Sequence, residues 1–318
     1  MKTLSLAALA AVVAFTGCTR SPAFRQDQEY TKSEPASYYS SAATTPTQRI
    51  ESMGQPKKRV LVLNFWNNTP VRESEMGLFA AEELRRGLIS TQRLLLTTEK
   101  SSLSTEDLIQ GEKIKVAQLI REGRRLGVSV LIIGRVTKAI FRQRGDDVGL
   151  LRQKQSLAGA DVEIKVFDVS MGREILALSR SGEASANSLV AFEGKSLQSK
   201  EYRSELTHLA IRNAVAPLIP EVVRGIEKMT WEGRIAKVAG TKVYVNAGKN
   251  SGLMGGDILR VLTPGDDIYD PVTGAFLGRS PGQLKGTLEL VEFIGPDGAL
   301  TEVHTGANFQ EGDVVQLY

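Results

Sequence analysis

After residue 58 the spacing of apolar residues changes several times, and each change predicts a new element of secondary structure. Nearly continuous apolar runs at 59–65, 93–97 and 128–134 are typical of strands that are buried on both faces. Between these runs, 73–89 and 104–126 carry apolar residues at helical spacing. Strands that alternate with helices in this order predict an α/β arrangement.

An alternating segment and a second strand follow, and together they predict an antiparallel hairpin. Residues 160–168 alternate between apolar and polar side chains from Ala160 to Val166, which is typical of a strand with one face in water. A tight turn at 171–173 then leads into a returning strand at 175–181. Apolar residues at helical spacing predict a helix over 204–229, with kinks at its two prolines.

From Trp231 onward the pattern is one of short strands, with glycines and turn residues about every 8 to 12 residues. This pattern predicts a separate all-β barrel or sandwich. We therefore expect two folded domains. The first is an α/β (α+β) domain over 59–229, with a mixed sheet and flanking helices, and the second is a small β-domain over 230–318.

The amino-terminal segment has the pattern of an export signal. Lys2 is followed by about 14 apolar or small residues, which span roughly 20 Å as a helix, whereas a bilayer requires ~30 Å. We therefore predict a cleaved signal over 1–17. Phe15-Thr16-Gly17-Cys18 resembles the lipobox of bacterial lipoproteins, which implies cleavage between Gly17 and Cys18 and a lipid on the cysteine. The alternative is an ordinary signal peptide with an incidental cysteine.

The stretch that follows has the composition of a tether. It is poor in aliphatic residues and rich in Ser, Thr, Gln, Pro and Tyr, so it buries too little apolar surface to offset the entropy of ordering. We expect 18–58 to be disordered, with a reach of roughly 35 Å. Thr19 stands where an aspartate would favour the inner membrane, so the lipoprotein resemblance implies the outer membrane, facing the periplasm.

Composition narrows the classes of function. The chain has 318 residues, of which 42% are hydrophobic, and this is enough for one or two apolar cores. The formal net charge of +4 is a small basic surplus without a basic tract, so we expect no nucleic-acid partner. Cys18 is the only cysteine, so the mature chain can form neither an internal disulfide nor a thiolate metal cluster.

Catalytic groups are scarce in the sequence. His208 and His304 lie far apart and have no cysteine beside them, so their spacing assembles neither a nucleophile pair nor a zinc site. We interpret both as structural residues, and we expect no enzyme activity, no cofactor and no metal. A periplasmic hydrolase is the alternative from a different class.

Two loops resemble ligand sites superficially. Asp266, Asp267 and Asp270 could offer carboxylates to calcium, but their spacing lacks the EF-hand pattern, and 270–274 fits a hairpin turn better. Residues 248–252 look like a phosphate-binding loop, but they do not fit the motif G-x-x-x-x-G-K-[ST] and no helix is predicted after them. This loop therefore also predicts a turn.

We therefore expect the functional surfaces to be protein interfaces. The candidates are exposed or polar positions beside the predicted strands, and each could instead be an ordinary structural or solvated residue. They are Trp66, Asn67, Asn68, Arg142, Arg144 and Phe192.

Several segments of the folded part resemble known families. The runs VLVLNF (60–65), LGVSVLIIGRV (126–136) and VEIKVFDVSMGREIL (162–176) resemble the periplasmic domain of the curli secretion lipoprotein CsgG and its relatives. The last domain resembles the carboxy-terminal domain of the flagellar assembly protein T family. That second resemblance is carried by VYVNAG (243–248), GLMGGD (252–257), DPVTGAFLG (270–278) and QEGDVV (310–315).

Together these resemblances imply a non-catalytic lipoprotein that is a structural or assembly component of an envelope-spanning machine, with the flagellar basal body as the first expectation. The implied partners are the membrane, through Cys18, and other envelope or basal-body proteins, and a homo-oligomeric ring is a further expectation. A lipoprotein activator of a peptidoglycan synthase and a curli-type secretion channel subunit are the alternatives. The channel is disfavoured because 141–160 and 182–205 lack the lipid-facing stripe of membrane strands.

Overall fold

The computed structural model describes residues 55–70, 75–97, 101, 103, 105–110, 113–145, 154–187 and 199–318. The predicted signal, Gly17, Cys18, the predicted tether up to residue 54, and Phe192 lie outside the described residues.

The first part of the described chain is built on a mixed sheet. Its strands are β1 (Arg59–Val62), β2 (Trp66–Asn67), β3 (Leu95–Leu96), β6 (Val130–Gly145), β7 (Lys154–Asp168) and β8 (Arg173–Asn187). The strand order is β3-β1-β6-β7-β8, and β2 pairs with β6. β1 is parallel to β3 and β6, whereas β6, β7 and β8 are antiparallel to one another. A separate small sheet contains β4 (Ile109–Gln110) and β5 (Lys113–Ile114).

Helices lie on both faces of this sheet. They are α1 (Glu75–Ser90), α2 (Thr105–Leu108), α3 (Val116–Arg125), α4 (Lys200–Val215) and α5 (Leu218–Glu227). One apolar core joins one face of the sheet to α1, α4 and α5, and it includes Val62, Leu84, Ile132, Leu206 and Val222. The opposite core joins the sheet to α2 and α3, and it includes Leu61, Leu108, Leu119, Leu131 and Phe167. The predicted combination of a mixed sheet with flanking helices is confirmed.

The wet face predicted for the segment at 160–168 is also present. Glu163 of β7 accepts a hydrogen bond from Arg135 of β6 at 2.7 Å, and Lys165 of β7 lies 3.1 Å from Glu174 of β8. Charged side chains thus form cross-strand pairs on the face that water reaches. The strands themselves are longer than the sequence pattern predicted, since β7 begins at Lys154 and β8 ends at Asn187.

The single kinked helix predicted over 204–229 is wrong, because the structure has two helices there. α4 begins after Ser199, whose hydroxyl accepts a hydrogen bond from the Tyr202 amide at 3.1 Å. It ends at Val215, because Pro217 has no amide hydrogen and its ring obstructs a continuing helix. Pro220 lies in the first turn of α5, where the amide has no acceptor within the helix, so it is tolerated there.

The second part is a closed barrel, so the barrel form of the prediction is confirmed. Its strands are β9 (Gly233–Ala239), β10 (Lys242–Val245), β11 (Ile258–Leu262), β14 (Leu284–Ile294), β15 (Gly298–Gly306) and β16 (Val314–Leu317), and they close in the order β10-β15-β14-β11-β16-β9. The interior is apolar and includes Val243, Leu259, Val261, Leu288 and Val315. β12 (Asp267–Tyr269) and β13 (Phe276–Arg279) form a hairpin outside the barrel. The described residues, all of which lie between 55 and 318, belong to one compact unit.

Lys58 is buried where the chain enters the sheet. Only 2% of its surface is exposed, and its ammonium group donates to Gln55 Oε1 at 3.2 Å and to the Glu227 carbonyl at 3.3 Å. Burial lowers the pKa of Lys58 from 10.5 to about 8, although the negative charge of Glu227 acts in the opposite direction. The charged form of this side chain therefore destabilises the fold at neutral pH.

We expect Lys58→Met to raise the free energy of unfolding at pH 7 by about 2 kcal/mol. Burying the charged ammonium group costs the folded wild type on the order of 3 kcal/mol, and the substitution removes this cost. The variant also loses the hydrogen bonds of Lys58, which reduces its gain in stability by about 1 kcal/mol. Between pH 8 and 10.5 the folded protein has released this proton while the unfolded chain retains it, so the wild type gains stability as pH rises. Urea unfolding from pH 7 to 10.5 measures both effects.

The matched control is the neighbouring substitution Lys57→Met, at a position that is only partly buried. It should leave the pH dependence between pH 8 and 10.5 unchanged. Equal pH profiles for the wild type and Lys58→Met would contradict the buried-charge interpretation.

Candidate functional site

A cleft of about 860 Å³ lies between the sheet and the outer surface of the barrel. One wall is the turn between β7 and β8, together with Lys228 and Met229 after α5. The opposite wall presents Arg234 of β9, Arg260 of β11 and Arg279 of β13. Arg173, at the start of β8, lines it as well, so we call this site the arginine cleft.

The β7–β8 turn has a rigid local structure. Asp168 Oδ1 accepts hydrogen bonds from the Ser170 amide at 2.8 Å and the Met171 amide at 3.0 Å, and Gly172 adopts a φ of 68°. This is the Asx type of turn, which needs a short acid and a glycine in left-handed conformation. Burial raises the pKa of Asp168, and the nearby Glu232 raises it further. The tight turn predicted at 171–173 is confirmed.

The arginines point into the cleft because of strand alternation. Leu259 and Val261 fill the barrel interior, so Arg260 between them lies on the outer surface. The same alternation applies to Arg234, which precedes the buried Ile235 and donates to the Gly312 carbonyl at 3.2 Å. Burial is the main cause that lowers the pKa of Arg234, and the nearby positive charge of Arg124 contributes.

An ion pair joins the sheet region to the hairpin beside the cleft. Both terminal nitrogens of Arg124, in α3, donate to the carboxylate of Asp267 in β12, at 2.8 and 2.9 Å. Arg279 Nε lies 3.8 Å from the same carboxylate and donates to the Gly265 carbonyl. The hydrogen bond from Arg124 is the main cause that lowers the pKa of Asp267. This bidentate pair fixes the hairpin against α3.

Glu232 has both carboxylate oxygens occupied by protein donors. The Ser170 hydroxyl donates to Oε2, and Gln316 Nε2 donates to Oε1 at 2.8 Å. The cleft therefore contains acidic groups that are already hydrogen-bonded, next to guanidinium groups on the opposite wall. Such an arrangement is suited to binding a polar or anionic group. Within the described ranges, no group of three His, Cys, Asp or Glu side chains could hold a metal ion.

The interface residues predicted from the sequence lie elsewhere. Trp66 and Asn67 are half-buried in β2, where they pair with Arg135 and Val136 of β6. These two residues therefore extend the sheet. The exposed Asn68 continues this pairing through its amide, which donates to the Val136 carbonyl at 2.9 Å.

Arg142 is exposed near the end of β6, and Arg144 lies two residues further along the same strand. Neither Arg142 nor the residues of β2 line the arginine cleft. No contact in the structure tests whether these residues form an interface, so their interface roles remain predictions.

The other residues singled out in the sequence have structural positions. The His208 ring stacks on Phe79 with 4.1 Å between centroids, and His304 is exposed on β15. Asp270 Oδ1 accepts from the Val272 and Thr273 amides at 2.9 and 2.7 Å, which confirms the predicted turn. Residues 249–251 form a short 3-10 turn, as predicted for that loop.

None of the described helices combines the length and the apolar character that a membrane crossing requires.

No family model and no curated protein sequence matches the chain. Among solved structures, a hypothetical protein from Chlamydia trachomatis is 16% identical and aligns 54% of this chain with 98% of its own, at a TM-score of 0.35. The PelC dodecamer from Paraburkholderia phytofirmans is 13% identical over 52% of this chain and 89% of its own, with a TM-score of 0.27. The LpoB C-terminal domain from Salmonella enterica is 12% identical over 44% and 93%, with a TM-score of 0.25. Similarity this low assigns no family to the chain.

Proposed function

We propose that this protein is a non-catalytic lipoprotein of the bacterial envelope that assembles with further copies of itself through the edge strand β8. The lipobox resemblance at Cys18 supports a lipid anchor, and Thr19 supports the outer membrane with the folded part in the periplasm. The two family resemblances support a scaffold in an envelope-spanning machine, with the flagellar basal body first and other basal-body proteins as partners.

The observation that carries this proposal is the length and composition of β8. It is 15 residues long, contains neither lysine nor proline, and among the described strands it pairs only with β7. Edge strands in soluble proteins are usually short or protected by charged side chains or proline, because an open edge pairs readily with another chain. The stretch from Ile175 to Ser179 in β8 contains neither. An open strand of this length is suited to pairing between subunits.

The direction of the outer backbone groups can be read from two side-chain contacts. Arg180 Nη1 donates to the Ser179 carbonyl and Asn213 Nδ2 donates to the Glu183 carbonyl, both at 2.8 Å. These carbonyls therefore point away from β7, and by the two-residue repeat of a strand the amide of Ser181 does so as well. Ser179 and Ser181 are exposed and small, so a second strand can approach.

Ser181→Pro tests the proposal directly. Proline removes an outward amide hydrogen that a second subunit would use, while the pairing of β8 with β7 uses the groups of adjacent residues. We expect the wild-type mature protein in detergent to be an oligomer by native mass spectrometry and Ser181→Pro to be a monomer. Ser181→Ala, which retains the amide, should remain oligomeric.

A monomeric wild type at every concentration would contradict assembly, and an oligomeric Ser181→Pro would exclude β8 as its surface. Melting temperatures of the two variants show whether the proline has disturbed the fold. The flagellar part has a separate test, because a deletion strain with normal motility and intact basal bodies would contradict that role.

A further inference from the structure

The arginine cleft has more positive charge than its own acids neutralise. Glu232 accepts from Ser170 and Gln316, and Asp168 accepts from two backbone amides. Glu174, the third acid that lines the cleft, pairs with Lys165 at 3.1 Å, and Asp267 beside the cleft is bonded to Arg124 through both of its oxygens. The carboxylates of these acids are therefore already bonded to groups of the protein.

Arg260 forms no salt bridge with any of these acids. It is half-buried, its Nε is shielded from water, and this nitrogen has no hydrogen-bond acceptor among the described residues. A shielded donor without an acceptor is rare in folded proteins, because it loses its bonds to water and gains none in return. An acceptor that enters the cleft would satisfy it.

Three further guanidinium groups line the same cleft as Arg260, those of Arg173, Arg234 and Arg279. Arg234 and Arg279 both line it, and like-charge repulsion from Arg124 contributes to the lowered pKa of each, after the larger effect of burial. Both remain charged at neutral pH, since arginine keeps its proton in proteins. Mutually repelling cations that line one cleft favour a bound anion.

We infer that the arginine cleft binds a carboxylate or phosphate group, held by Arg260 together with Arg234 and Arg279. The flat guanidinium fork matches both oxyanions, which accept two parallel hydrogen bonds from it. The cleft volume of about 860 Å³ is larger than one oxyanion requires and falls in the range typical of small-molecule sites. The bound group can therefore belong to a free small anion or to the end of a larger molecule.

Calorimetric titration of the mature protein at low ionic strength tests this inference. The probes are inorganic phosphate, a short peptide with a free α-carboxylate, and the same peptide as its carboxy-terminal amide. We expect the wild type to bind phosphate or the free-acid peptide, and Arg260→Gln to weaken that binding about 10-fold or more. Arg260→Lys keeps the positive charge but loses the planar guanidinium group. Its affinity for the anion should therefore lie between those of the wild type and of Arg260→Gln.

Lys242→Gln is the matched control, because it removes one exposed positive charge from β10, which does not line the cleft. It should bind as the wild type does. If the free-acid peptide binds and its amide does not, the bound group is a carboxylate. If only inorganic phosphate binds, the bound group is a phosphate. Absence of binding for both anions in the wild type would overturn the inference, as would equal affinities for Arg260→Gln and Lys242→Gln when both have wild-type melting temperatures.

Residues 173–176 of β8 line the cleft, but Arg260 lies on the barrel and Ser181 does not line the cleft, so the two substitutions act at different places. Oligomer mass and anion affinity are measured separately, so either result can fail without the other.

Discussion

Gly182→Ala is expected to lower the melting temperature by roughly 5–10 °C, which corresponds to about 2–3 kcal/mol. Gly182 lies in β8, directly beneath α4. A Cβ atom added there would lie 2.2 Å from the Ala210 carbonyl oxygen and 2.3 Å from the Ala214 amide nitrogen. Both are backbone atoms, so no change of rotamer can relieve the contact, and α4 must move away from the sheet. Thermal unfolding followed by circular dichroism measures the effect.

Gly255→Ala is the matched control for this substitution. A Cβ atom at Gly255 would meet nothing within 4 Å, and the residue does not have a positive φ. Its melting temperature should stay close to that of the wild type. If both alanine variants melt at the same temperature, the tight packing of α4 on β8 is contradicted.

Cys18→Ser is expected to abolish lipid attachment completely. The hydroxyl of serine is a much weaker nucleophile than a thiolate, and the lipobox resemblance assigns the acylated atom to the sulfur of Cys18. Each buried methylene contributes about 0.8 kcal/mol to membrane binding, so the loss of several acyl chains removes the anchor. Growth with an alkyne-labelled fatty acid, followed by gel fluorescence and intact mass, measures both the label and the cleavage of residues 1–17.

Thr19→Ser is the control, because it changes the adjacent residue and leaves the sulfur in place. It should incorporate the fatty acid as the wild type does. A native protein that has an unmodified thiol and retains its leader would contradict the lipoprotein assignment.

The sequence pattern predicted the main elements of the fold well, because hydrophobic periodicity reports burial directly. It failed where one local interaction decides the outcome. The periodicity continues across Pro217, so the pattern predicted one helix, whereas the missing amide hydrogen of that proline separates α4 from α5. Pro220 also lacks an amide hydrogen, but it does not interrupt a helix. It lies in the first turn of α5, where a backbone amide has no acceptor within the helix.

The arginine cleft could not be predicted from the sequence. Arg234, Arg260 and Arg279 stand in separate segments, and the pattern of apolar residues around them does not mark them as a group. β9 and β11 lie close together only because β16 is inserted between them when the barrel closes. An arginine on the wet face of a strand is usually solvated, so the signal depends on long-range pairing that periodicity does not report.

The contact between Gly172 and Phe276 restricts how the two parts of this protein can be recombined. Any side chain at Gly172 would begin 2.5 Å from two ring carbons of Phe276, and the φ of 68° already favours glycine there. One residue belongs to the sheet region and the other to the hairpin that extends from the barrel. A chimera that grafts this barrel onto the sheet of another protein must therefore inherit glycine in that turn, or else exchange the phenylalanine for a smaller residue.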